Sequence, residues 1–354
     1  MIRVLYSTPE IAPFAGAGPE SALARCLAAG LVRAGARVTV AAPWTGAEAP
    51  SRLARRLSPA PTSRGPVTVF EGPLPGGGGR VVLAVTDDPT AVIEAALAYE
   101  LPDVAHLALG GDAEVATLSA RGVPALLDDE LELTPGIDPA RWPRPADAMA
   151  AKPAAKRRAQ VALELPPRAT APLFVAESTP SHPIDPLLWS DELEAELAAA
   201  GAQLTVVHAG AGDAPAPRSR RAATVVGADD ERRRQLLSAA DFAILAHEPS
   251  RGPSDLHAAR YGAVPIAPRE PPYTGTLVEL DLTTATGSGI FYASDPERLV
   301  AAVRRAVRAY EHPHFAATAR GPARLDLDWL RPARVALGAY ARLAGGQKMD
   351  SVGV

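Results

Sequence analysis

The sequence predicts an α/β fold made of two Rossmann-like, doubly wound parallel-sheet halves. Three observations point there. Short apolar runs alternate with longer amphipathic stretches, the pattern of parallel strands joined by covering helices. The alternation stops at a proline-rich tract and then restarts. A chain of 354 residues is also long for a single hydrophobic core.

In the first half, apolar runs predict strands over residues 2–7, 37–42, 67–71, 80–86, 103–107 and 123–127, with helices over 21–33, 90–99 and 112–120. Ser21 and Asp112 read as helix caps. The tract LTPGIDPARWPRPADAMAAKP then carries five prolines and no periodicity, as a connecting segment would. Strands resume at 173–176, 204–208, 224–226, 242–246 and 264–267, with helices at 187–199, 230–239, 255–261 and 296–310. The division expected is an N-terminal domain over 1–133, a hinge over 134–153, a second domain over 154–325 and a closing helix over 326–346 that returns toward the first domain. Ligands are expected in a cleft at the carboxyl ends of the strands.

Apolar residues make up 47% of the chain, and the net charge of -4 gives no basic field for nucleic acid or an anionic membrane. Cys26, the single cysteine, falls in a helical pattern and reads as core; it suits a reducing compartment. No leader pattern and no 18-residue apolar run is present, so a soluble, cytoplasmic protein is expected. The three lysines, 152, 156 and 348, read as coding bias beside abundant arginine. Arg218, Arg220, Arg221, Arg232, Arg233 and Arg234 form the one basic cluster, either a solvated face or a phosphate site.

The stretch PEIAPFAGAGPESALARCLAAGLVRAG places a glycine-bearing turn between a strand and a helix, where backbone N–H groups could hold a phosphate. A dinucleotide fingerprint needs three spaced glycines; only Gly16 and Gly18 are present, followed by Pro19 and Glu20.

Five ordered segments carry a resemblance. The opening RVLYSTPEIAPFAGAGPESALARCLAAGLVRAGARVTVAAP, the pair LTPGIDPARWPRPAD and KPAAKRRAQVALELP, the stretch VVGADDERRRQLLSAADFAILAHEPSRGPSDLHAARYGAVPIAP, and the closing DPERLVAAVRRAVRAY and DLDWLRPARVALGAYARL are similar in order to bacterial glycogen synthase and plant starch synthase. The resemblance implies a GT-B fold and, in the family, retaining transfer of glucose from ADP-glucose to an α-1,4-glucan. The chain resembles a shortened, divergent member.

The resemblance also locates departures. Gly16 stands at the family's loop lysine, Ala17 at its threonine, Pro19 at its second glycine and Glu20 at its leucine. Proline offers no N–H, and a carboxylate repels phosphate. In AESTPSHP, Glu177 stands at the family's arginine and His182 at its lysine, provided Asp185 holds the register. HEPSRGPSDLHAARYG keeps Arg260, Tyr261 and Gly262 and puts Asp255 at the ribose-side glutamine; Glu248 is either a residue of the cleft or a solvated loop carboxylate. Gly227, Ala228, Asp229 and Asp230 replace a motif whose tyrosine stacks on adenine. HLALG keeps one acceptor-side histidine, His106.

The candidate donor-site residues are therefore Gly16, Gly18, His182, Glu248, Arg251, Asp255, Arg260 and Tyr261, with His106 on the acceptor side and no metal set. His208 reads as a strand-terminal polar residue, and Trp142 as a hinge residue that could face the cleft. No bound cofactor is expected beyond ADP-glucose or another nucleotide sugar as ligand. Two functions are implied: a catalytically degenerate protein that binds nucleotide sugar, α-glucan or a true glycogen synthase, or an active glucosyltransferase whose donor contacts moved to arginines such as Arg251 and Arg269.

Overall fold

The computed structural model describes residues 1–11, 14, 19–44, 55–74, 78–108, 111–127, 136–139, 141–178, 185–208, 216–217, 219–245, 254–270, 273–293, 297–324 and 327–346; for 19–23, 185–186 and 297 it describes backbone alone. The chain divides into two compact units. Unit 1 comprises Met1–Asp138 and Asp328–Val354, and unit 2 comprises Pro139–Leu327.

In chain order, the first segment of unit 1 holds β1 (Arg3–Ser7), α1 (Pro19–Arg33), β2 (Arg37–Pro43), β3 (Arg55–Arg56), β4 (Val69–Pro73), β5 (Arg80–Ala84), α2 (Pro89–Leu97), β6 (Val104–Leu107), α3 (Asp112–Ser119) and β7 (Ala125–Leu127). Unit 2 holds α4 (Ala148–Ala162), β8 (Leu173–Ser178), α5 (Asp185–Leu188), α6 (Asp191–Ala199), β9 (Gln203–His208), β10 (Ala222–Val226), α7 (Asp230–Ala239), β11 (Phe242–Ile244), α8 (Ser254–Arg260), β12 (Val264–Pro268), α9 (Tyr273–Thr276), β13 (Ile290–Tyr292), α10 (Glu297–Tyr310) and α11 (Phe315–Arg324). The chain then returns to unit 1 with α12 (Leu330–Ala344).

The unit 1 sheet runs β3-β4-β5-β2-β1-β6-β7. From β5 to β7 the pairing is parallel, but β4 pairs antiparallel with both β5 and β3. The antiparallel edge has a simple reason: LPGGGG between β4 and β5 is long enough for a hairpin and far too short for a parallel crossover. Side chains of β1 alternate between two cores. Val4 and Tyr6 pack with Leu27 and Leu31 of α1 and Ala333 and Ala336 of α12, while Leu5 packs with Ile93 of α2 and Leu118 of α3. At Gly30 the helices α1 and α12 touch backbone to backbone: a Cβ there would lie 2.8 Å from the Trp329 carbonyl oxygen and 2.9 Å from the Ala333 Cβ. The outgoing and returning segments run side by side, with Ile137 bridged in parallel to Asp328.

The unit 2 sheet, β10-β9-β8-β11-β12-β13, is parallel throughout. Phe174 and Ala176 of β8 face Leu193 of α6, Val303 of α10 and Phe315 of α11, while Val175 faces Leu236 of α7 and Ala258 of α8. Helix α4 lies against α7 and starts inside the tract read as a hinge, which corrects that reading at its carboxyl end. Asp147 caps it, its Oδ1 accepting from Met149 N and Ala150 N at 3.0 Å, and Pro153 within the helix hides the periodicity.

Two of the three lysines are buried on α4. Lys152 Nζ donates to the carbonyls of Ser238, Ala240 and Tyr261, where α7 and α8 end, and burial pushes its ammonium down to about 8. Lys156 Nζ pairs with Asp241 at 2.6 Å and donates to Ala171 O at 2.9 Å. Lys152 answers the carbonyl ends of two helices and Lys156 a buried carboxylate, so coding bias is not their explanation.

Two expected caps are also displaced. Helix α1 begins at Pro19, before Ser21, and α3 is entered through Gly111, whose N–H donates to Glu114 Oε2 at 2.7 Å.

Candidate functional site

A doubly wound sheet takes its ligand outside the carboxyl ends of the strands, where the strand order reverses. That point falls between β1 and β6 in unit 1 and between β8 and β11 in unit 2.

In unit 1, Gly16 and Gly18 lie outside the described residues, while α1 starts with Pro19, which has no N–H to aim at an anion. His106 on β6 is fully buried, its Nδ1 2.5 Å from the Tyr340 hydroxyl of α12 and its ring 5.2 Å from that of Tyr6. A histidine so enclosed packs the interior of unit 1.

In unit 2 the reversal point has a defined floor. Strand β8 ends in Glu177 and Ser178. The Glu177 carboxylate lies 3.3 Å from Arg233 Nε of α7, and Ser178 Oγ lies 3.1 Å from Nδ1 of His208, the last residue of β9. His208 is thus a buried strand-terminal residue, as expected. Asp255, on the first turn of α8, is 3% exposed and accepts from the Thr276 hydroxyl; burial raises its pKa above the ordinary carboxylate value. Tyr273 completes the group: burial raises its phenol, and the nearby Asp255, Tyr292 and Glu177 push the same way. Among the described residues, two carboxyl groups, Glu177 and Asp255, and one guanidinium, Arg233, gather here.

Arg260 and Tyr261 have a different task. Arg260 Nη1 donates to Trp142 O at 2.7 Å, the Tyr261 hydroxyl donates to Pro143 O at 2.8 Å, and the Trp142 ring stacks on His257 with centroids 3.9 Å apart. Both residues are buried and fasten residues 142–143 to α8, while Trp142 faces His257. Asp229 caps α7, accepting from Arg232 N at 2.7 Å, and Asp230 pairs with Arg141 at 2.6 Å.

Successive helical side chains point about 100° apart, so three consecutive arginines cannot share one face. Arg233 turns to Glu177, Arg232 reaches Gln235 and Arg234 reaches the Arg141 carbonyl. Arg269 pairs with Glu279 at 2.5 Å. His182, Arg218, Glu248 and Arg251 lie outside the described residues. The Glu177–Arg233 pair and Tyr273 were not found from sequence; the helical divergence of RRR was the available signal for the first. Among the described residues no group of three His, Cys, Asp or Glu side chains could hold a metal, and no helix is long and apolar enough to cross a membrane.

Comparison with known proteins places this architecture. The catalytic domain of starch synthase IV from Arabidopsis thaliana, solved bound to ADP and acarbose, superposes with a TM-score of 0.69 over 97% of this chain and 99% of that domain, at 14% identity. The fold is GT-B. The glycogen synthase of Acidiphilium cryptum is 28% identical over 233 residues, 59% of this chain, and that of Ralstonia nicotianae is 32% identical over 245 residues, 61% of it. This GT-B chain is glycogen synthase-like, although it spans just 48% and 44% of the length of those two relatives. No protein-family profile matches it.

Proposed function

We propose that this glycogen synthase-like chain has lost sugar transfer and works by binding a nucleotide sugar, an α-glucan or a true glycogen synthase in the cytoplasm. One observation carries the reading. At the end of β8, where the resemblance puts a permanent cation, stands Glu177, and its carboxylate is matched to Arg233 at 3.3 Å. Transfer builds negative charge on the departing diphosphate, and losing one preorganised donor to such charge costs about 3 to 4 kcal/mol; an inverted charge costs more. The uncharged residues at the inherited loop lysine and glycine positions, Gly16 and Pro19, support the same reading.

The test is glucose incorporation from ADP-glucose into glycogen by the purified chain, with none expected above blank. Clear incorporation rejects the reading. Gly16→Lys combined with Glu177→Arg is expected to raise ADP affinity at least tenfold by calorimetry.

A second reading, an active glucosyltransferase with relocated contacts, draws on the same pair: Arg233 already sets a guanidinium beside the end of β8. It requires that Arg233→Ala abolish incorporation, which the first reading does not.

A further inference from the structure

Helices α4 and α7 border an open groove of about 570 Å³ in unit 2, away from the carboxyl ends of its strands. The volume arises from sequence: α4 turns Ala155, Ala159 and Ala162 toward it, at i, i+4 and i+7, where longer side chains would fill the groove. It lies within the range of small-molecule sites.

The charge around this groove is one-sided. Arg158 enters from α4, Arg232 and Arg234 from α7, and Arg144 from the segment leading into α4. Among the described lining residues Glu231 is the single carboxylate, and its Oε1 accepts from Gln235 Nε2 at 3.3 Å. Three of the arginines are oriented by one bond each: Arg144 to the Arg324 carbonyl, Arg232 to Gln235 and Arg234 to the Arg141 carbonyl. A guanidinium carries five N–H donors, so each such bond fixes the fork and leaves further donors for a ligand. Crowded like charges repel, and a multivalent anion relieves that repulsion through bidentate contacts. Pro143, Pro145 and Tyr261 supply an apolar wall beside the arginines.

We propose that this groove is a binding site for a phosphate-bearing small molecule, separate from the carboxyl edge of the unit 2 sheet. Phosphate supplies the charge and oxygen geometry that the guanidinium groups match, and the apolar wall accommodates a compact organic part.

The experiment is calorimetric titration of the full chain with inorganic phosphate, ribose 5-phosphate and ribose. Saturable, mutually competitive binding of the two phosphates is expected, and none of ribose. Arg158→Glu and Arg232→Glu should each weaken phosphate binding at least tenfold, and Arg158→Ala, which is milder, at least threefold. Arg157→Glu makes the same charge change at an exposed neighbour on α4 outside the lining and should stay within twofold. Absence of saturable phosphate binding, equal binding of ribose, or an equal loss in Arg157→Glu would overturn the site. The readout is phosphate binding at arginines of α4 and the adjoining helix α7, so its outcome does not depend on whether glucose is incorporated from ADP-glucose.

Discussion

At position 257 an imidazole is sandwiched where a proton is unwelcome. Burial is the main cause, with Arg260, Arg141 and Arg233 adding repulsion, and together they push His257 down to about 3. The unfolded chain takes up that proton near pH 6.5 while the folded chain does not. Below 6.5 the unfolded state therefore binds more protons, so stability falls with falling pH down to about 3 and is unaffected by this residue above 6.5. At about 1.4 kcal/mol per pH unit the whole span amounts to roughly 5 kcal/mol. Urea midpoints should fall from pH 6.5 to 4, and His257→Phe should flatten that slope while keeping the stack on Trp142; an unchanged slope would contradict the assignment. Lys156 gives a second residue-scale expectation. Removing it strands the buried Asp241 carboxylate, and Lys156→Met should cost about 3 to 5 kcal/mol in urea unfolding. The spacing KPAAK shows both lysines on one helical face, yet their burial was unreadable, because it depends on where α7 and α8 end in space.

Among elements, those with long periodic patterns were legible and those interrupted by proline were not. Helix α7 occupies the residues expected, 230–239, and α12, Leu330–Ala344, falls within the closing-helix span expected, 326–346. Helix α11 escaped notice because Gly321 and Pro322 sit inside it, and the three-residue strand β13 is too short for any period to show. The site was legible to the same degree. The residues at positions 16, 19 and 177 could be read one by one, whereas the pairing of Glu177 with Arg233 joins two distant segments. Packing of α1 on α12 offers a test at this scale. Alanine in place of Gly30 would add about 1 kcal/mol of helix propensity, but its methyl would meet a backbone oxygen at 2.8 Å, which cannot rotate away. Overpacking of this kind costs about 1 to 3 kcal/mol, so Gly30→Ala should be net destabilising, and more rapid amide exchange in α12 should accompany it.

For the molecule as a whole, the division into units sets the expectation. Unit 2 has its own sheet and cores, whereas unit 1 relies on α12, which supplies Ala333, Ala336, Ala339 and Tyr340 to its core. Deleting residues 328–354 should abolish the calorimetric transition of unit 1, expose the apolar face of α1 to dye, and leave the transition of unit 2 in place; two surviving transitions would refute this. The same interruption bears on biosynthesis. Pro139–Leu327 is threaded between the two parts of unit 1, so an emerging polypeptide presents α1 long before its covering helix exists. At ordinary ribosomal speeds that interval lasts on the order of tens of seconds, during which the nascent N-terminal sheet is a natural client for chaperones.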